Sequence, residues 1–311
     1  MMQKQLLNYL NYVMGNKKLI SVSGPTAIGK TKLSIKLAKA LKTEIISFDS
    51  RQFYEEMCIG TAVPSKIELN EVKHHFIQHR SIIHPYTVYD FSLDANKLIK
   101  KLFKLFDNII LVGGSYMFLK SIIYGIDEMP KIPIEIRNKL NENLKINGIE
   151  FLQSALHTKD PEYYEIVDLN NPRRLIRALE IIEFTKKSYT SFLTKNKEKK
   201  FNHYSIAINT DRSNLYKIIN KRVDMMIDSG LINEAKKLYT YKSFNALNTV
   251  GYREIFNYFN NKCSKDFAIN EIKKNTRRFA KKQITWLKNS DENHHWIDID
   301  YNLDVILKKI K

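Results

Sequence analysis

Short apolar runs near the head of the chain alternate with helical patterns. Leu19–Ser23 and Glu44–Phe48 are brief β-forming runs, the pattern of buried strands. Between them Leu33, Leu37, Ala38 and Leu41 fall on one face of a helix. Ile109–Val112 is a further apolar run, ending in glycines, and Tyr116–Tyr124 continues as a helix. Strand and helix in alternation predict a parallel α/β sheet. After Gly125 the texture changes. Pro130 and Pro133 punctuate the chain, and Ile134 to Lys187 carries helical patterns without a strand. Asn171-Pro172 is a helix start, a capping side chain followed by proline at the first helical position. Lys186–Lys200 is polar and reads as a loop, Tyr204–Asn209 as a strand returning to the sheet, and Trp296–Ile299 as a last short strand after further helix. Met1–Asn16 reads as a short helix leading into the first strand.

Composition narrows the partners. Of 311 residues 43% are hydrophobic, enough for a packed core. Lys and Arg number 51 against 33 Asp and Glu, a formal net charge of +18, which favours an anionic partner such as nucleic acid or a phosphorylated substrate. The 2 cysteines, Cys58 and Cys263, have neither metal-ligand spacing nor the makings of a disulfide framework, which fits a cytoplasmic protein. No apolar run reaches the roughly 20 residues of a membrane span, so no membrane partner is expected.

Gly24-Pro25-Thr26-Ala27-Ile28-Gly29-Lys30-Thr31 matches G-x-x-x-x-G-K-[ST] between a strand and a helix. Its glycines let backbone N–H groups face phosphate oxygens, and the helix N-terminus adds partial positive charge. Lys30 adds a full charge, and Thr31 is placed to hold Mg²⁺ through the bound phosphates. The expected fold is therefore a P-loop NTPase-like parallel sheet core flanked by helices, residues 1–126 and 201–311, with an all-helical insertion domain over 127–200. An NTPase usually carries an Asp after a later strand, but Ile109–Val112 runs into Gly113-Gly114-Ser115. The candidate carboxylate is instead Asp49, at the carboxyl end of the second strand, either a base for a nucleophile or the cap of a turn. Ser115 ends another strand facing the same crevice.

Two features concern charge. Arg222 lies within the apolar stripe Leu215, Ile219, Met226 of a helix, where a cation needs a partner. A diphosphate would serve, as would a carboxylate or a route to the rim. Near the end, Lys273, Arg277 and Lys281 form one row and Lys274, Arg278 and Lys282 the next, with no acidic residue from Ile272 to Lys288. Like charges at that spacing repel, so the face is expected to meet an anion, RNA phosphates above all. Arg173, Arg174 and Arg177 cluster on the helix after Pro172.

With these residues the chain resembles one family, the bacterial tRNA dimethylallyltransferases, also called tRNA isopentenyltransferases. The resemblance runs from about Leu19 to Asp298. It is carried by GPTAIGKT, by DSRQFY at Asp49–Tyr54, IGTAVPS at Ile59–Ser65, LVGGS at Leu111–Ser115, NPRRLIRALE at Asn171–Glu180, VGYRE at Val250–Glu254 and KKQITWLK at Lys281–Lys288. It implies that the loop holds dimethylallyl diphosphate with Mg²⁺ and that Asp49 faces the N6 amino group of a tRNA adenine. Ser115, where the family usually has Thr, would touch the same region, and Arg222 would bind the diphosphate. It also implies contact with a tRNA anticodon stem-loop by Asp49, Ser50, Arg51, Gln52, Ser115, Arg137, Arg173, Arg174, Arg177, Gly251, Tyr252, Arg253, Lys281, Lys282, Gln283, Trp286 and Lys288, in a monomer. The chain departs from the family in Gly113-Gly114-Ser115-Tyr116-Met117-Phe118, often GGTGLY, and in Asn248-Thr249, an Arg-Cys pair in some members. The competing readings are a small-molecule kinase, an adenylate isopentenyltransferase and an RNA-binding protein with a vestigial loop. The favoured reading requires the phosphate pocket and the basic surface to adjoin, with the insertion and the basic helix both gripping the anticodon stem.

Overall fold

The computed structural model describes residues 17–194, 197–290 and 292–310. The helix expected over Met1–Asn16 lies outside them. Six strands form one all-parallel sheet: β1 Lys18–Ser23, β2 Ile45–Ser47, β3 His74–His75, β4 Asn108–Val112, β5 Asn202–Asn209 and β6 His294–Asp298, in the order β3-β2-β4-β1-β5-β6. This is a P-loop sheet. Its helices are α1 Lys30–Ala40, α2 Lys66–Glu71, α3 Val88–Leu102 and α4 Tyr116–Ile123, then α5 Ile134–Lys159, α6 Pro161–Tyr164 and α7 Pro172–Thr185. After β5 come α8 Arg212–Asp228, α9 Leu231–Leu238, α10 Tyr252–Phe259, α11 Lys265–Lys288 and α12 Leu303–Ile310. None is long and apolar enough to cross a membrane. Sequence pattern did not single out β3, whose two residues are too few for a period.

Alternate side chains of a strand point to opposite faces. Ile20 and Val22 pack with Leu33, Leu37, Ile110 and Ile208 in one cluster, whereas Leu19 packs with Ile109, Leu111, Phe48, Phe91 and Leu119 in another. Both faces of the sheet are thus covered, which is why its strands read as continuous apolar runs rather than as alternation. A third cluster, with Tyr54, Met57, Val223, Leu231 and Tyr252, lies under segments that line a cavity at the carboxyl edge of the sheet.

The described residues divide into two compact units, the first ending at Tyr124 and resuming at Lys199, the second lying between Gly125 and Glu198. In the second, α5 and α7 share a core of Leu140, Leu152, Leu156, Leu175 and Leu179. α5 is broken at Gly148, whose φ of 73° and ψ of −175° are not helical. Asn171 caps α7 by accepting the Arg174 N–H, and the buried Asp160 carboxylate accepts from Thr190 N, Thr190 Oγ1 and Tyr163 N.

A buried polar chain ties β1, β5, β6 and the end of α11 together. Glu292 accepts from Tyr124 and from Lys199 at 3.0 Å, and lies 3.4 Å from His203 Nδ1. His203 Nε2 reaches Ser21 at 2.9 Å, and Ser205 reaches His294 Nδ1 at 2.7 Å. The other His294 nitrogen meets Ser290 at 2.7 Å. Burial alone raises the Glu292 pKa, but contacts with His203, Tyr124 and Lys199 outweigh it and hold the carboxyl well below the ordinary range. A depressed carboxyl gives stability that is complete above the ordinary carboxylate range and is lost as pH falls through it. Glu292→Ala, which strands the buried His203 and removes the partner of Tyr124 and Lys199, is expected to cost about 3 kcal/mol in urea unfolding at neutral pH. The difference from the parent chain should shrink in acid.

Candidate active site

Val112 pairs with both Val22 and Ser47, so β1, β4 and β2 end at the same level. The segments leaving these three strands therefore meet at one edge of the sheet, the carboxyl edge where open parallel sheets bind ligands. They are the loop Gly24–Thr31, the turn that begins at Asp49, and Gly113–Ser115.

The loop turns back on itself through positive φ at Ala27 (70°) and at Gly29 (95°), the residue before α1. Lys30 Nζ donates to the loop's own carbonyls, Gly24 O at 3.1 Å and Pro25 O at 2.8 Å. Burial pulls the Lys30 pKa down to about 8; Asp49 opposes the shift and Arg222 adds to it. Arg222, on α8, is likewise lowered by burial, with Asp49 opposing, and its Nη1 lies 3.5 Å from Thr26 Oγ1. Among the described residues neither cation forms an ion pair. Two half-buried cations with no carboxylate bonded to either favour an anion between them.

Asp49 Oδ1 accepts the Arg51 N–H at 3.1 Å. Ser115 does not cap α4; its Oγ accepts the Ser50 N–H at 3.1 Å and lies 3.0 Å from Ser50 Oγ. Gln283 of α11 bridges two of the three segments, accepting from Thr26 N at 2.8 Å and donating to Gly114 O at 3.0 Å. These groups line a cavity of about 380 Å³. Its polar lining includes Thr26, Lys30, Asp49, Ser115, Arg222 and Gln283; Ile219, Val223, Met226, Leu231, Ile272 and Phe279 are among the apolar residues.

Val250, Arg253 and Phe279 line this cavity and also a larger trough of about 920 Å³. Lys120, Arg253, Arg278, Lys281 and Lys282 give the trough its charge, and Tyr116, Phe279 and Trp286 give it aromatic surface. Cations interleaved with rings suit phosphates and unstacked bases. The cavity and the basic trough thus adjoin, sharing three lining residues.

Several expected contact residues stand elsewhere. Tyr252 is fully buried, its hydroxyl donating to Glu234 at 2.6 Å, so it cannot touch a macromolecule. Burial and the Glu234 charge raise its pKa, so the hydroxyl stays a donor. Gln283 lines the cavity at the loop Gly24–Thr31, and Gln52 uses its amide nitrogen on the Thr61 and Ala62 carbonyls. The two rows on α11 are not a bare cationic face either. Lys273 pairs with Asp224 at 2.5 Å, Lys274 with Glu271 at 2.7 Å, and Arg277 donates to Asn220 at 2.7 Å. Those partners lie at or before residue 271, outside the window that looked free of acid. Arg51 donates to the Asn245 and Ala246 carbonyls, while Lys288 is exposed on the last turn of α11. In the second unit Arg173 and Arg174 are exposed, but Arg137 and Arg177 converge on Glu180, whose side chain is wholly buried. Sequence reasoning missed Lys120, Phe279, Thr61 and Glu234. The Ile59–Ser65 motif pointed to Thr61; the other three carried no local signal.

An all-parallel sheet with a P-loop after β1 and a glycine turn without a carboxylate after β4 define a protein of P-loop fold. The chain belongs to the IPP transferase family, whose model matches residues 52–290. It is 53% identical over 285 residues to a tRNA dimethylallyltransferase of Christiangramia forsetii, covering 91% of this chain and 94% of that one. A tRNA dimethylallyltransferase of Flavobacterium johnsoniae is 48% identical over 301 residues, 94% of this chain and 97% of its own. The crystal structure of the full-length tRNA isopentenylpyrophosphate transferase of Bacillus halodurans superposes with a TM-score of 0.70 at 35% identity, covering 94% of each chain.

Lys30 must be charged to meet an anion, and an anion beside it raises its pKa again. Inorganic pyrophosphate is therefore expected to bind with proton uptake at about pH 9, its affinity falling by up to tenfold per unit as pH rises through the Lys30 pKa. Calorimetry in buffers of different ionisation heat checks this; Lys30→Met should remove the difference between buffers that Lys30 causes.

Proposed function

We propose that the protein transfers a dimethylallyl group from dimethylallyl diphosphate to N6 of the adenosine at tRNA position 37, 3′ of the anticodon, releasing pyrophosphate. The observation that carries this reading is that the cavity of Lys30 and Arg222 shares Val250, Arg253 and Phe279 with the basic, aromatic trough. An exocyclic amine is a weak nucleophile, so the work is to stabilise the departing diphosphate. Lys30, Arg222 and the loop N–H groups take up that charge. The bond from the allylic carbon to oxygen breaks, the bond to N6 forms, and Asp49 orients N6 and accepts its proton. The adenine must leave its stack, which costs a few kcal/mol and least in a single-stranded loop. Arg253, Arg278, Lys281 and Lys282 would hold flanking phosphates and Trp286 a flanking base. Arg173 and Arg174, with the free edges of Arg137 and Arg177, are proposed as contacts of the second unit.

Among the described residues no group of three or more His, Cys, Asp or Glu side chains could hold a metal by itself. The Thr31 hydroxyl at the start of α1 fits a Mg²⁺ ion that takes its other ligands from diphosphate and water. When bound, the ion would supply further charge neutralisation to the leaving group. One chain provides every residue in this mechanism, so we infer a monomer, acting on tRNA in the cytoplasm.

The test is to incubate the protein with unmodified tRNA and dimethylallyl diphosphate and to weigh the nucleosides released by digestion. A prenylated adenosine is expected. Transfer to free adenylate, or RNA-independent turnover of ATP with a small alcohol, would overturn the reading. Asp49→Ala is expected to slow transfer by about 10²–10⁴-fold while tRNA affinity stays near that of the parent. Raising salt should weaken tRNA binding, with a shallower slope for Lys281→Ala/Lys282→Ala.

A further inference from the structure

The Ile59–Ser65 segment, prominent in the sequence, has no part in the proposed reaction. Gly60 and Thr61 nevertheless line the cavity. The three successive N–H groups of Cys58, Ile59 and Gly60 point at one carboxylate, that of Glu234, at 3.0, 2.8 and 2.9 Å. The Tyr252 hydroxyl donates to the same carboxylate. Convergent backbone N–H groups form an anion-binding nest, and here the anion belongs to the chain itself. The Tyr252 ring fills the space a side chain at position 60 would take, since a Cβ there would lie 2.6 Å from it. Glu234 stands one turn after Leu231, and Tyr252 directly after Gly251; Leu231 and Gly251 both line the cavity. One set of charge-assisted bonds, mostly half-buried, therefore ties three wall segments to one another: the 58–61 loop, the start of α9 and the start of α10.

We propose that Glu234 is a positioning residue that sets the width of the apolar part of the cavity, and with it the length of isoprenoid chain the site accepts. This deepens the proposed dimethylallyl transfer and rests on it. Each extra methylene gains binding in an apolar pocket, so affinity alone favours a longer chain. Discrimination against it must come from a wall that does not yield. A carboxylate bonded to four donors makes such a wall. An amide in its place offers one oxygen and turns an NH₂ towards the N–H groups.

The experiment compares kcat/KM for dimethylallyl diphosphate and for its ten-carbon homologue geranyl diphosphate, with the same tRNA, in the parent and in Glu234→Gln. The ratio of the two values does not depend on the fraction of active protein, so a general loss of folding leaves it unchanged. It is expected to fall by about tenfold in favour of the longer donor. Tyr252→Phe keeps the ring and removes one bond, so a smaller fall in the same direction is expected, and it decides the matter if Glu234→Gln does not fold. An unchanged ratio in the folded variants, whatever happens to kcat, would overturn the positioning role. A parent that transfers no five-carbon group would instead overturn the proposed reaction, and the positioning role with it.

Discussion

Lys30 and Arg222 line one cavity half-buried, each lowered in pKa by burial, with Asp49 as the carboxylate that opposes both shifts. Two cations taken out of water near one another are unfavourable unless something anionic joins them. In the free chain Lys30 is satisfied by the carbonyls of its own loop and Arg222 by little more than the Thr26 hydroxyl. That imbalance is built into the fold. It leaves the cavity with two cations that no structural ion-pair network neutralises among the described residues.

The sheet keeps the imbalance in place. Pairing of Val112 with Val22 and with Ser47 brings three strand ends level, and the loop, Asp49 and Ser115 inherit their proximity from that register. α11 then closes the edge through Gln283, which bonds Thr26 on one loop and Gly114 on another. The same helix carries Lys281, Lys282 and Trp286 into the trough. One helix thus lines both the cavity and the trough. Membership of the IPP transferase family accords with this arrangement.

Charge counting along a helix illustrates the limits of local patterns. Residues 272–288 hold no acid, which made two full rows of α11 look destined for an anion. Lys273 and Arg277 instead turn to Asp224 and Asn220 of α8, and Lys274 to Glu271 one turn earlier. Only the later part of the rows, with Arg278, faces the trough. Tyr252 is a similar case: its neighbours Gly251 and Arg253 line the cavity, yet its own side chain points into the core.

By itself the sequence determined what depends on neighbours along the chain. Gly24–Thr31 between a strand and a helix specified a phosphate loop, because its glycines and the helix start act within eight residues. Continuous apolar runs specified strands buried on both faces, and Asn171-Pro172 a helix start. Arg222 was legible as an oddity, a cation within an apolar stripe. Only the tertiary structure decided which anomalies share a cavity. It joined Arg222 to Lys30, turned Gln283 inward, and set Glu234 against the N–H groups of residues 58–60, which are more than 170 residues away in the chain. Such contacts rest on strand register and helix packing, which residue spacing does not encode.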